Sequence, residues 1–276
     1  MIRTVLSKCA FAALLVATLA HAETADATAN TDAREERSAS DIVVFGHSEV
    51  TIGTAHAASE GSVTGADLLA RPRLRVAEFL EAVPGMVAAQ HSGSGKANQY
   101  FLRGFSLDHG TDLSINFLGA PLNLPGHAHG QGYTDSNMII PELLSRVEYR
   151  KGPYFAQDGD FSSAGSLNID YVNEMKRGLA SLSVGEFGYR RGLLADSVSL
   201  NEGQTSLLYA LELTDNNGPW DVPENHSKTN VLLKLSHDVN ASHKFELMYS
   251  GYESEWTSTD HIPLDAVSRG IVGRFG

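Results

Sequence analysis

The densest group of polar, metal-competent side chains is Asp108-His109 together with His127-Ala128-His129-Gly130-Gln131-Gly132-Tyr133. In an extended segment successive side chains alternate, so His127 and His129 would point to one side. A third ligand such as His109 could complete a metal site on His109, His127 and His129. The same spacing also fits a solvent-facing loop whose histidines hydrogen-bond or simply fill space. Imidazole donors favour a borderline metal such as zinc, copper or nickel, whereas a ferric chelate more often meets aromatic and guanidinium groups. Tyr133 and Arg103 keep that second chemistry open, with Asp108 and Gln131 as further polar contacts.

Recognised catalytic arrangements are missing from the sequence. There is no Gly-x-Ser-x-Gly elbow, and Gly95-Lys96 lacks both the upstream glycine and the following Ser or Thr of a phosphate-binding loop. Lys151-Gly152-Pro153 reads as a turn, because Gly and Pro fix the backbone there. The expectation is a non-enzyme with no cofactor. A formal charge of −12 without a basic stripe argues against a nucleic-acid partner.

The elements that would position the histidines lie on both sides of them. Val76, Phe79, Leu80 and Val83 fall at i, i+3, i+4 and i+7 and predict a short helix ended by Pro84-Gly85. Met86 to Ala89 predicts a brief strand, Ser92 to Lys96 a Gly/Ser loop, and Tyr100 to Phe105 a strand ending at a glycine. Leu113 to Leu118 predicts another strand, turning at Gly119-Ala120-Pro121. Pro141 to Leu144 suggests a helical turn, Arg146 to Arg150 a strand, and Ser166 to Tyr171 the last strand of the series. Short strands and helices in this mixture predict an α+β domain of about 100 residues.

Beyond Arg177 the period becomes two. Ala180, Leu182 and Val184 alternate with serines; Leu207, Tyr209, Leu211 and Leu213 line one side of another strand, Val231, Leu233 and Leu235 of another, and Phe245, Leu247 and Tyr249 of another, with a weaker strand around Leu194 to Leu200. Asn201-Glu202-Gly203 and the stretch from Asp215 to Pro223 give short and long turns in alternation, as in outer-membrane barrels. A soluble β-sandwich would show the same alternation. About five strands cannot close a membrane barrel, for which the usual minimum is about eight. The residues after Pro263 read as a loop.

The N-terminal region explains how such a protein could leave the cytoplasm. Arg3 and Lys8 precede an apolar run from Cys9 to Leu19 and the small-x-small pattern Ala20-His21-Ala22, which together predict a secretory signal peptide over residues 1–22. Cleavage there would leave 276 − 22 = 254 residues and remove the single cysteine, so no disulfide is expected. Residues 23–62 are small and polar, except for Asp41-Ile42-Val43-Val44-Phe45-Gly46. Those residues favour an extended backbone with no neighbouring strand, the kind of segment that can add to the sheet edge of a second protein.

Asp41 to Gly46 is similar to a TonB box, Val83-Pro84-Gly85 and Leu102-Arg103-Gly104-Phe105 resemble plug-domain motifs, and Arg146 to Pro153 resembles the strand and turn near a plug's end. In this order, behind a signal peptide, they resemble a TonB-dependent outer-membrane receptor over about Asp41 to Asn173. Leu118-Gly119 stands where the family usually has an aspartate before the glycine, and Asn168-Ile169-Asp170 replaces its Asn-Ile-Val type ending.

The resemblance implies an α+β plug domain over 63–175 followed, over 176–276, by the first antiparallel strands of an incomplete transmembrane β-barrel. It implies a barrel several hundred residues longer, and so an N-terminal part of a receptor. It also implies location in the Gram-negative outer membrane, binding of a small molecule or metal chelate from outside, and pairing of Asp41 to Gly46 with TonB and its inner-membrane energising complex. A soluble or surface-associated envelope binding module, or a non-functional receptor fragment, is the alternative.

Overall fold

The computed structural model describes residues 57–72, 75–90 and 92–276. The expected signal peptide and the Asp41 to Gly46 segment lie outside these residues.

Eight strands build the first part: β1 (Glu60–Thr64), β2 (Met86–Ala89), β3 (Gln99–Leu102), β4 (Phe105–Ser106), β5 (Leu113–Phe117), β6 (Ala120–Pro121), β7 (Leu144–Lys151) and β8 (Gly165–Tyr171). Five form a sheet in the order β1-β7-β8-β5-β6, and β2-β3-β4 form a separate small sheet. β5 and β8 pair in parallel, from Leu113 opposite Gly165 to Phe117 opposite Ile169. A parallel pair needs a long crossover. Here the crossover carries β6, the histidine segment and β7.

Leu113, Ile115 and Phe117 on β5 are almost fully buried. They pack in one core with Phe79, Leu80, Tyr100, Leu143, Leu144 and Leu167. The helix expected on the Val76 face forms only as a 3-10 turn, Glu78–Ala82. Two neighbours limit it: Ala77 is left-handed at φ 60°, and Pro84 disfavours the α conformation at Val83. The inward residues are nonetheless the expected ones, since Phe79, Leu80 and Val83 are buried.

The expected strand Tyr100 to Phe105 is a hairpin instead. Leu102 pairs with Phe105 across Arg103-Gly104, at φ 53° and 84°. Positive φ at both central residues suits the twist of a two-residue hairpin. Leu118-Gly119 repeats the device at φ 51° and 80°, joining β5 to β6.

Five further strands follow: β9 (Leu179–Val184), β10 (Arg190–Leu200), β11 (Thr205–Asn216), β12 (His226–Asn240) and β13 (His243–Glu255). They form one antiparallel sheet with neighbours in chain order. β10 starts earlier than expected and pairs along its length with β11, from Arg190 opposite Asp215 to Leu200 opposite Thr205. A short helix, Leu264–Ser268, stands in the stretch expected to be a loop.

The faces of this sheet separate it from a soluble sandwich. Leu193, Ala195, Leu208, Ala210 and Leu232 are buried and join the core of the first part. Glu212, Lys228, Asn230 and Lys234 share that covered face. On the other face Leu182, Val184, Phe245, Leu247 and Tyr249 are exposed, Leu182 at 81%. A sandwich buries its apolar face and wets its polar one; here the exposed face carries large apolar side chains and the covered face is mixed, apolar and charged.

Candidate functional site

Asp108 and His109 follow β4 after Leu107 and are fixed by backbone bonds on both sides. The Tyr100 N–H donates to the Asp108 carbonyl at 2.8 Å, and the Thr134 N–H donates to the His109 carbonyl at 2.7 Å. The second bond ties this segment to the histidine loop. Asn123 strengthens the tie from beneath: its Oδ1 accepts from the Ile115 N–H at 2.7 Å, while its Nδ2 donates to the carbonyls of Gly110, Leu113 and Gly132. Gly110 sits between the two segments at φ 118°, where a Cβ would lie 2.8 Å from the Gly132 oxygen.

His109 is buried, and its Nδ1 lies 2.9 Å from the Asn98 carbonyl. A carbonyl only accepts, so Nδ1 carries the proton and Nε2 is the acceptor nitrogen. Burial pushes the imidazole below its usual range, opposed by the Asn98 bond and the Asp108 charge and assisted by His129 and Lys96. His109 is therefore a neutral imidazole at physiological pH.

Its ring meets His129 edge-on at a centroid distance of 4.4 Å. The Asp108 Oδ1 stands 3.7 Å from His109 Nε2 and 3.8 Å from His129 Nε2. The grouping therefore contains Asp108, His109 and His129.

His127 is placed differently. Its ring stacks on Tyr133 at 4.0 Å and an interplanar angle of 15°. Its Nδ1 accepts the His129 N–H at 3.2 Å. The segment is bent rather than extended, so the two histidines do not project side by side from a strand; they flank Tyr133, with His129 at 5.8 Å from that ring. The Tyr133 hydroxyl accepts from the Ala97 N–H, and burial raises its pKa. Gln131 is exposed in the turn beyond His129. Arg103 occupies the β3–β4 turn, where its N–H donates to the Gly85 carbonyl at 2.8 Å. Its charge adds to the burial that lowers the Lys151 pKa.

Two contacts set which end of the strand sheet the site faces. Ser94 donates from N and Oγ to Glu224 at 2.9 and 3.0 Å, and Asn216 Nδ2 donates to Ser94 Oγ. The Tyr252 hydroxyl donates to Asp135, whose carboxyl pKa is raised by burial. Loop 92–97 and the Tyr133 region thus meet the end of the sheet bearing its long 217–225 connection.

Asn98, Asn123 and Thr134 shape the site, and no motif in the sequence singles them out. Asn123 offers one weak signal, an amide between Leu122 and Leu124 in a short turn-rich stretch.

Fold and site together define a plug: a small mixed domain seated on the polar-lined face of antiparallel strands. Residues 54–166 match the family model described as TonB-dependent Receptor Plug Domain, and over that segment the chain is a plug domain. Among solved structures, the copper transporter OprC matches at 19% identity and TM-score 0.57, covering 74% of this chain and 32% of that one. The siderophore receptor PirA from Acinetobacter baumannii matches at 17% identity and TM-score 0.52, over 73% and 32% of the two chains. The siderophore receptor PiuA from the same organism matches at 18% identity and TM-score 0.52, over 71% and 26%. The chain thus spans about a third or less of these structures, and the likeness is one of fold.

Proposed function

We propose that the receptor to which this chain belongs sits in the outer membrane and takes up a scarce nutrient, a metal or metal chelate, with energy delivered through TonB. The observation that carries this reading is the exposed apolar face of the strand sheet: Leu182, Val184, Leu247 and Tyr249 face outward, while the charged Glu212, Lys228 and Lys234 lie on the side that faces the plug. Lipid suits the first face and a filled lumen the second. Unpaired strand edges in lipid would cost several kcal/mol per group, so further strands must close the wall.

The uptake cycle follows from this arrangement. Ligand arrives at the long-loop end, where His127, His129 and Gln131 are exposed. Asp41 to Gly46 becomes available in the periplasm and TonB pairs with it as an added strand, main-chain bonds supplying affinity and alternate side chains specificity. Pulling on that segment displaces the plug and opens a path. The transported OprC and PirA ligands, copper and siderophores by their descriptions, support a metal or chelate as cargo. No step of this cycle needs an enzyme active site.

Membrane fractionation and energised uptake test the proposal. The receptor is expected in the outer-membrane fraction, with uptake lost on deletion of TonB and on Val43→Pro, which removes a ladder donor. Recovery of the native chain as a folded, soluble periplasmic monomer would overturn it.

A further inference from the structure

The Asp108, His109 and His129 group goes further than a generic ligand contact. We infer that these three side chains bind a bare divalent ion of the zinc, copper and nickel group, captured directly by the plug rather than inside an organic chelate. This rests on the receptor reading above and names the cargo's chemical form.

Geometry is the first support. The Asp108 carboxylate lies between the two imidazoles, at 3.7 and 3.8 Å from their Nε2 atoms. All three ligand atoms lie within 4.8 Å of one another. Ligands about 2.0–2.2 Å from a tetrahedral ion stand about 3.3–3.6 Å apart. The carboxylate-to-imidazole spacings are close to that already. The remaining closure, at most about 1.5 Å between the two imidazoles, falls on His129, an exposed side chain on a bent loop.

The surroundings of the donors are the second support. His109 donates Nδ1–H to the Asn98 carbonyl, the outer-shell bond that fixes a ligating imidazole's tautomer and turns Nε2 to the ion. Asp108 adopts φ 48°, a left-handed conformation that aspartate tolerates better than most residues. That backbone sets its carboxylate beside both rings. Residues 20 apart in sequence are thus held together by the Thr134 to His109 bond and the Asn123 clamp.

Donor chemistry selects the ion. Two imidazoles and one carboxylate suit borderline metals, and copper(II) binds such sets more tightly than zinc or nickel. Three protein donors leave a position for water or a second ligand, the open kind of site rather than a closed structural one. An ion held this way can leave, as cargo must. His127, stacked on Tyr133 and bonded to the His129 N–H, positions His129 and contributes no donor to the ion.

Titration of the detergent-purified chain with zinc, copper(II) and nickel salts against a chromophoric chelator tests this, alongside copper EPR. We expect one ion per chain, with copper nitrogen hyperfine structure from two imidazoles. His129→Ala should weaken binding by about 100-fold or more and leave one nitrogen, since even outer-shell losses cost 10–100-fold. Asp108→Asn keeps the shape, removes the charge and should also weaken binding. His127→Ala should shift affinity by less than about 10-fold and keep both nitrogens. Absence of binding by all three ions to folded chain, or His129→Ala binding unchanged, would overturn the inference. Fractionation and TonB dependence read the receptor proposal separately, so the two can fail independently.

Discussion

Arg191 on β10 grips Glu142 of the plug through two parallel bonds, Nη1 to Oε1 at 2.7 Å and Nη2 to Oε2 at 2.9 Å. Its Nε donates at the same time to Glu212 on β11 at 2.7 Å. One guanidinium therefore joins plug to wall and strand to strand, and Lys228 closes the network from β12 at 3.1 Å from Glu212. Both carboxylates are largely buried, Glu212 at 2% side-chain exposure. Removing the cation takes the guanidinium from both carboxylates and leaves Glu212 to Lys228 and Asn230.

Arg191→Ala is accordingly expected to cost about 3 kcal/mol, the scale for breaking a buried pair from one side. Arg190→Ala, at the outward-facing neighbour, should be near neutral. Urea unfolding in detergent and protease sensitivity of the plug would read both. Equal stabilities of the two variants would refute the role given to Arg191.

Asn123→Ala removes the clamp beneath the histidine loop. The Ile115 N–H and the Gly110 and Gly132 carbonyls lose a partner each, and we expect destabilisation of about 2 kcal/mol. Hydrogen exchange should accelerate at Ile115 and across residues 124–134 while β7 and β8 stay protected. Unchanged exchange in that loop would contradict the assignment.

Gly110→Ala attacks the same junction by crowding. The added Cβ would meet the Gly132 oxygen and Thr134 Oγ1, both at 2.8 Å, on a backbone at φ 118°. The segments carrying His109 and Thr134 would be pushed apart. Metal affinity should fall in parallel with stability, measured by the same chelator competition on the folded fraction; full affinity in this variant would show that the segments need not touch.

Trp256 provides an optical report on plug docking. A Cβ at Gly95 would run into its ring, so Gly95→Val should displace the indole and red-shift its emission. The second of the chain's two tryptophans, Trp220, is removed by Trp220→Phe to isolate the signal. An emission maximum that does not move would mean the 92–96 loop does not rest on Trp256.

The outward face makes a membrane prediction. Leu233 lies in one cross-strand row with Tyr209 and Tyr249. Leu233→Arg should cost about 2–4 kcal/mol if this row sits near the bilayer midplane, and less toward the strand ends, as for Leu200→Arg. Heat-modifiable migration of assembled receptor would measure it. Equal assembly for both variants would place the row outside the bilayer.

Much of the frame was legible because it follows local rules. Period-two alternation in Leu207 to Leu213 and Val231 to Leu235 needs no tertiary information, and β11 and β12 appear where that pattern lies. The helix at Val76 was not, since its apolar spacing was correct but Ala77 and Pro84 allow only a 3-10 turn. Arg103-Gly104 hid a hairpin because a non-glycine at φ 53° gives little sequence signal. In the site, His109 and His129 were visible as residue types. That Asp108 stands beside both rings while His127 stacks on Tyr133 depends on a bent loop, and no spacing rule contains it. Glu142 and Arg191 are 49 residues apart, and only the completed fold brings their charges together.

The mixed character of the covered strand face bears on how a plug could ever come out. Leu193, Leu208, Ala210 and Leu232 make a small greasy patch there, and Glu212, Lys228, Asn230 and Lys234 lie on the same face. A wholly apolar seam would resist parting and would leave both surfaces sticky afterwards. Along this seam every charged group that gives up its protein partner can take water in exchange. Solvent entering from one end would loosen the bonds ahead of it one after another, so that a modest sustained pull acts against a few contacts at a time rather than against the whole interface at once.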